Sequence, residues 1–167
     1  ANHYILEIGT DAGFTNRIVR EENLTVSEYT VGQNLEPNSA YYWRVRSVNS
    51  LGQESAWAST KSFRTRMTAP VLTSPVNGSM LYGLRPDFTW TPSDGATSYK
   101  LVVSKSSSFS SPLINVTVAA GQNIAPGYRP TKDLTAGTKL YGRVMANGAN
   151  PSDWSTFTIT TPRPPSV

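Results

Sequence analysis

The chain has 167 residues, 38% of them hydrophobic and only 16% charged, with twelve prolines, one histidine and no cysteine. This composition excludes disulfides and thiolate chemistry and leaves too few soft ligands for a zinc site. It suits strands and turns rather than helices. The net charge of +4 is spread thinly: seven basic and seven acidic residues precede Thr68, and eight basic and four acidic residues follow it. They form no stripe of the kind a nucleic-acid footprint needs. No run approaches the ~20 apolar residues of a membrane helix. With no initiator methionine and no signal-like start, the N-terminus is expected to be a cut or processed end.

In chain order, His3–Gly9 alternates, with Tyr4, Leu6 and Ile8 on one face, and predicts a strand. Asp11–Gly13 is a loop, Arg17–Arg20 a short strand and Thr25–Val31 another. Gly32–Ser39 turns into a strand over Tyr41–Val48, whose Tyr41, Trp43 and Val45 fall on one face and Tyr42, Arg44 and Arg46 on the other. The first face is expected to be buried and the Tyr/Arg face to look outward. Asn49–Ser55 is a long hairpin loop, and Ser59–Arg66 the next strand. The join around Thr65–Pro70 is short and is expected to act as a restricted elbow. Ala69–Gly78 then reads as a proline-marked edge strand and a turn. Arg85–Pro92 alternates with Phe88 and Trp90 inward, and Asp94-Gly95-Ala96 turns into the next strand. No window sustains a period near 3.6, so no helix is predicted.

From Ala96 onward the chain repeats itself. Ala1-Asn-His-Tyr4-Ile-Leu6-Glu-Ile8 aligns with Ala96-Thr-Ser-Tyr99-Lys-Leu101-Val-Val103, Phe14 with Phe109, and Ile18-Val19 with Leu113-Ile114. Further on Leu35 aligns with Leu134, Tyr42-x-Arg44-Val45 with Tyr141-x-Arg143-Val144, Ser55-Ala-Trp57 with Ser152-Asp-Trp154, and Phe63 with Phe157. The second copy carries Ala69–Gly95 ahead of its repeat, about 25 residues that have no counterpart before Ala1.

Catalytic patterns are not marked. His3 is the single histidine and reads as an exposed strand residue. The acidic residues Glu21, Glu22, Asp87, Asp94, Asp133 and Asp153 lack calcium-loop spacing, and no glycine-rich loop opens a helix. No carboxylate pair is singled out for glycoside hydrolysis. An enzyme and a cofactor are therefore not expected. Three sequons, at Asn23, Asn77 and Asn115, permit glycans. Arg44 with Trp57, and Arg143 with Trp154, are placed to stack on neighbouring strands, each stack contributing roughly 0.5–1 kcal/mol if exposed. They serve either to seal a sheet face or as a ligand platform.

Leu35, Pro37 and Tyr41 match the corner preceding strand F of fibronectin type III domains, and Pro70–Val103 (P-x-L-x-S-P-x-N-G…F-x-W-x-P…G-A-x-x-Y-x-L-x-V) resembles their strands A to C. The chain as a whole resembles a tandem of such domains from bacterial or archaeal cell-surface or secreted proteins. The resemblance implies an all-β fold of two immunoglobulin-like sandwiches. Residues 1–68 would be a first domain lacking strands A and B, 69–162 a complete one, and 163–167 the start of a proline-rich linker. It places Trp90, Tyr99 and Leu134 in the second core, and Leu35 and Tyr41 at the first corner. Leu140 replaces the corner tyrosine in the second copy, and Gly142 replaces the bulky residue held by Trp43 in the first. The family's Arg-Gly-Asp is not present. The implied role is a non-catalytic structural or spacer module, extracellular or on a cell surface. The alternative is a polysaccharide- or protein-binding adhesion module, such as one accessory to a secreted hydrolase. Expected partners are neighbouring domains of the same polypeptide, with homo-oligomerisation or strand donation to residues 1–68 as further options.

Overall fold

The computed structural model describes residues 1–121 and 125–164, and the chain divides into two compact units, Ala1–Thr65 and Arg66–Val167. Of the proline-rich stretch 163–167, the last three residues lie outside the described residues. In unit 1, β1 (His3–Gly9), β2 (Arg17–Leu24), β3 (Ala40–Val48) and β4 (Lys61–Arg64) form one antiparallel sheet in the order β2-β1-β3-β4. Unit 2 contains β5 (Leu72–Ser74), β6 (Phe88–Trp90), β7 (Ser98–Ser104), β8 (Ile114–Ala119), β9 (Gly127–Tyr128), β10 (Lys139–Asn147) and β11 (Ser155–Thr160). These form two sheets, β11-β10-β7-β8 and β5-β6-β9. There is no helix among the described residues.

The core of unit 2 lies between its two sheets. Phe88 and Trp90 project from β6 into a cluster with Tyr99, Leu101, Val103, Leu134, Leu140, Val144, Phe157 and Ile159. Trp90 meets Tyr99 edge-on with ring centroids 5.7 Å apart, and the Tyr99 hydroxyl accepts a hydrogen bond from Ser93 N–H at 2.9 Å. Unit 1 has a smaller cluster of Leu6, Ile8 and Tyr41, with Leu35, Trp43 and Val45 packed against it but less covered.

The repeat extends to strand register. Leu6 faces Val45 across β1–β3 as Leu101 faces Val144 across β7–β10, and Ile8 faces Val19 as Val103 faces Ile114. Along the last strand the alignment of Phe63 with Phe157 is corrected. Phe63 lies opposite Tyr41, which makes its counterpart Ile159, opposite Leu140; Phe157 lies opposite Gly142, so its counterpart is Lys61, opposite Trp43. The cause is an exchange of bulk across one cross-strand pair. A Cβ on Gly142 would fall within the Phe157 ring, so glycine there makes room for it, whereas in unit 1 the indole of Trp43 comes from the other strand and Lys61 stays exposed.

Two further expectations fail. The strand predicted over Thr25–Val31 is not formed, and β2 instead runs on to Leu24. Counting back from Leu35 and Leu134, Glu28-Tyr29 corresponds to Gly127-Tyr128, which is β9, and β9 exists by pairing with β6. Unit 1 among its described residues has no β6, so the segment has nothing to pair with. The Tyr/Arg face does not look freely outward either. Ile5 and Glu7, on the same face as Arg44, are buried beneath a layer of arginines and aromatics.

Candidate functional site

Two surfaces of unit 1, on opposite faces of one sheet, carry its distinctive chemistry. The first is centred on Glu7. The alternation of β1 that turns Leu6 and Ile8 to one face turns Glu7 to the other, opposite Arg20 on β2 and Arg44 on β3. The carboxylate has no exposed surface. Its Oε1 accepts from Arg17 at 2.8 Å and Arg20 at 2.5 Å, and its Oε2 accepts from Arg44 Nε at 2.9 Å and Nη2 at 2.7 Å. Burial pushes the Glu7 carboxyl up, but the hydrogen bonds from Arg17, Arg44 and Arg20 together outweigh it and hold the group below its ordinary value.

Arg44 is itself enclosed by aromatics. Its guanidinium carbon lies 4.1 Å from the Phe14 ring centroid and 4.3 Å from that of Trp57, and Arg46 covers the same indole at 4.4 Å while pairing with Glu54 at 2.6 Å. Unit 2 repeats the sandwich, with Arg143 4.2 Å from Phe109 and 4.4 Å from Trp154. Phe14 and Phe109 adopt positive φ, 57° and 59°, a conformation that bulky residues reach only when their surroundings impose it. In unit 1 Asp11 shapes this loop, accepting backbone N–H bonds from Gly13, Thr15 and Asn16. Those of Asn16 and then Thr15 do most to hold its carboxyl below the ordinary range. Unit 2 has Val102 in the place of Glu7, and Arg143 Nε is buried without a hydrogen-bond partner among the described residues.

Sequence reasoning paired each arginine with its tryptophan but left out Glu7, Arg17, Arg20, Phe14 and Phe109. Signals for them were present. The Phe14–Phe109 alignment recurs in both copies, and the β1 alternation leaves Glu7 on the arginine face.

The second surface is the opposite face of the sheet. Tyr4, Leu6, Ile8, Trp43 and Val45 form the floor of a groove of about 540 Å³, walled by Leu24, Val26, Tyr29, Val31 and Phe63 together with Ser27 and Glu28. In unit 2 the residues in register with Tyr4, Leu6, Ile8 and Val45 are Tyr99, Leu101, Val103 and Val144, all buried in the core under β6.

Of the remaining candidates, Leu35 and Tyr41 pack against the residues of the groove floor without lining the groove. Tyr41 accepts a hydrogen bond on its hydroxyl from Glu36 N–H at 3.0 Å, so the corner next to Leu35 and Pro37 is closed. Thr65 Oγ1 also donates to the Glu36 carbonyl at 2.6 Å. Leu140 cannot make the tyrosine bond, and Thr161 Oγ1, in register with Thr65, donates to the Thr135 carbonyl at 2.6 Å. Asn23, Asn77 and Asn115 are exposed, and Asn77 Oδ1 accepts from Thr158 N–H at 2.9 Å. His3 is half-buried with Nδ1 3.2 Å from Asn2 Oδ1. Among the described residues no group of three or more histidine or acidic side chains could hold a metal ion. Among the described residues no helix is long and apolar enough to cross a membrane.

Residues 4–69 match the family model described as the Rha78A-like N-terminal immunoglobulin domain. No curated protein matches the chain. Among solved structures, the crystal structure of the FN1–FN3 domains of chicken CNTN1 is 17% identical, with a TM-score of 0.41. The match covers 96% of this chain and 56% of that one, so the chain spans little more than half its length. The matched stretch nearly coincides with unit 1, and that family is what the unit is similar to.

Proposed function

We propose that the chain is a non-catalytic structural module of a larger secreted or cell-surface polypeptide, two immunoglobulin-like sandwiches in tandem whose first member lacks two strands. The observation that supports a structural role is the pair of aromatic–arginine sandwiches. A planar row of open aromatics would suit a sugar ring, but here Trp57 and Trp154 are each covered by an arginine that is stacked on its other side by a phenylalanine. In unit 1 the guanidinium is further fixed by a buried carboxylate. Groups committed to one another in this way have little left to offer a ligand.

The neighbours of such a module are other domains of its polypeptide. Glycans at Asn23, Asn77 and Asn115 are compatible with an extracellular setting, since all three side chains are exposed. A glycan array probed with the wild-type chain and with Trp57→Ala and Trp154→Ala tests the reading. Binding lost in either variant would overturn it and make the outer face a ligand platform. No binding in any of the three agrees with it.

The groove favours a second reading, a binding module for a polysaccharide or a protein. Its aromatics Tyr4, Tyr29, Trp43 and Phe63 are only partly covered. The same array with Trp43→Ala addresses it.

A further inference from the structure

Three features of unit 1 are unfinished, and unit 2 shows what finishes each. The first is the groove floor, whose counterparts Tyr99, Leu101, Val103 and Val144 are sealed by Phe88 and Trp90 of β6. The second is the Tyr4 hydroxyl at the groove. Its counterpart on Tyr99 accepts the N–H of Ser93, three residues beyond Trp90. The third is the unpaired backbone at Glu28-Tyr29, which corresponds to β9, where Tyr128 pairs with Phe88 and Gly127 with Thr89. β6 and the three residues after it supply all three in unit 2, the strand carrying an aromatic-x-aromatic element and backed by β5 through the pairing of Leu72 with Trp90.

Resting on the sandwich reading above, we propose that the groove of unit 1 is the seat of an antiparallel strand pair of this chemistry, joined to the N-terminal side of β1. In unit 2 the pair enters β7 through seven intervening residues, 91–97, and β7 and β1 are in register with each other throughout. A covalent entry of that length places the pair on the groove with little loop-closure cost. The interface is thus already built once within the chain, and an unpaired edge beside an apolar face is what strand addition requires.

The groove also specifies how its occupant differs from β6. A Cβ at Gly127 would lie 2.7 Å from the Phe88 carbonyl oxygen, and unit 1 has Glu28 at that position. The incoming strand therefore sits farther from Glu28 than β6 does from Gly127, and takes more of its hold from Tyr29 and the floor. Near β4 it meets the Trp43 indole where β6 meets the Phe157 ring, 6.0 Å from Phe88.

The test extends the chain by placing a second copy of residues 70–95 ahead of Ala1, so that its last residue joins Ala1 as Gly95 joins Ala96. Amide exchange and NMR shifts of Leu6, Ile8, Trp43 and Val45 are compared with those of the chain as given. The expected result is exchange slowed roughly tenfold or more at these positions, a blue shift of the Trp43 emission, and further slowing when Glu28→Gly admits a closer approach. Trp90→Ala in the added copy alone should abolish the effect. Unit 2 signals serve as the internal standard of folding. A synthetic peptide of residues 70–95 added in trans, if it moves the same signals, gives the same answer should the extended chain fold poorly. Groove signals unmoved by both the extension and the peptide, with unit 2 intact, would overturn the proposal and leave the outer-face reading standing. Concentration-dependent self-association of the unextended chain that protects the groove would overturn the source, making a second copy the donor. A soluble glycan that displaces the added strand would overturn the proposed occupant.

Discussion

A glutamate without exposed surface keeps its charge only if its oxygens are bonded throughout, because several kcal/mol of lost hydration must be offset. Glu7 meets this condition with four hydrogen bonds from three guanidiniums. Glu7→Gln should cost unit 1 about 2–3 kcal/mol, less than the 3–5 kcal/mol of a fully enclosed pair. The reduction follows from the arginines, whose side chains are 25–47% exposed and can turn to water. Urea unfolding monitored at unit 1 measures the loss, and a variant as stable as the parent would remove Glu7 from the account of this face. Gly142 presents the opposite demand, for the absence of an atom. Gly142→Ala drives a methyl into the Phe157 ring, and that ring is confined by Phe88. The expected loss is about 1–3 kcal/mol, as for overpacked cores generally. Trp90→Ala removes the largest side chain in the same core, 1% exposed, and should cost about 3–5 kcal/mol. A thermal melt of unit 2 within a few degrees of the parent would rule out its place as the centre of that core.

At the scale of elements, the two aromatic–arginine sandwiches invite a comparison. Each sets a phenylalanine from one loop and a tryptophan from the edge of the next strand around an arginine of the central strand. A double-mutant cycle on Arg44 and Trp57 should return a coupling of about 1 kcal/mol or more, above the exposed-pair value, because Glu7 holds the guanidinium in place. The cycle on Arg143 and Trp154 should return less, since Arg143 Nε has no hydrogen-bond partner among the described residues. Equal couplings would mean that Glu7 adds nothing to the stack.

The same elements show how far sequence reaches. β1 was legible to the residue, because alternation in a strand buried on one side writes its period directly into the chain. The repeat carried the register of β7 and β10 with it. The strand expected at Thr25–Val31 was not legible as absent, since alternation reports which residues suit a strand and not whether a partner strand exists. Phe63 was matched to Phe157 by residue type, whereas cross-strand volume determines the true counterparts, Ile159 and Lys61. The Glu7 cluster was missed for a related reason. Arg17, Arg20, Arg44 and Glu7 are distant in sequence and meet only through the pairing of three strands.

At the scale of the whole chain, two carboxyls held below their ordinary values among the described residues, Glu7 and Asp11, both belong to unit 1. A carboxyl whose folded pKa is depressed contributes stability that is fully present above its unfolded value, about 4.3 for glutamate and 3.9 for aspartate. That contribution is lost as pH falls through the folded value, because the unfolded chain takes up the proton first. Unit 1 should therefore hold its stability from neutral pH down to about 5 and lose it steadily below about 4. The Glu7→Gln variant supplies the control. Its deficit relative to the parent should be full at pH 7 and shrink toward zero as the parent's own Glu7 becomes protonated, so the two pH–stability curves converge on the acid side. Urea titrations from pH 7 to 3, read at Trp57 for unit 1 and Trp90 for unit 2, would trace both curves and separate the units. A deficit that stays constant across the range would show that Glu7→Gln acts through packing, and that the charge on the buried carboxylate is not what binds the three arginines to the sheet.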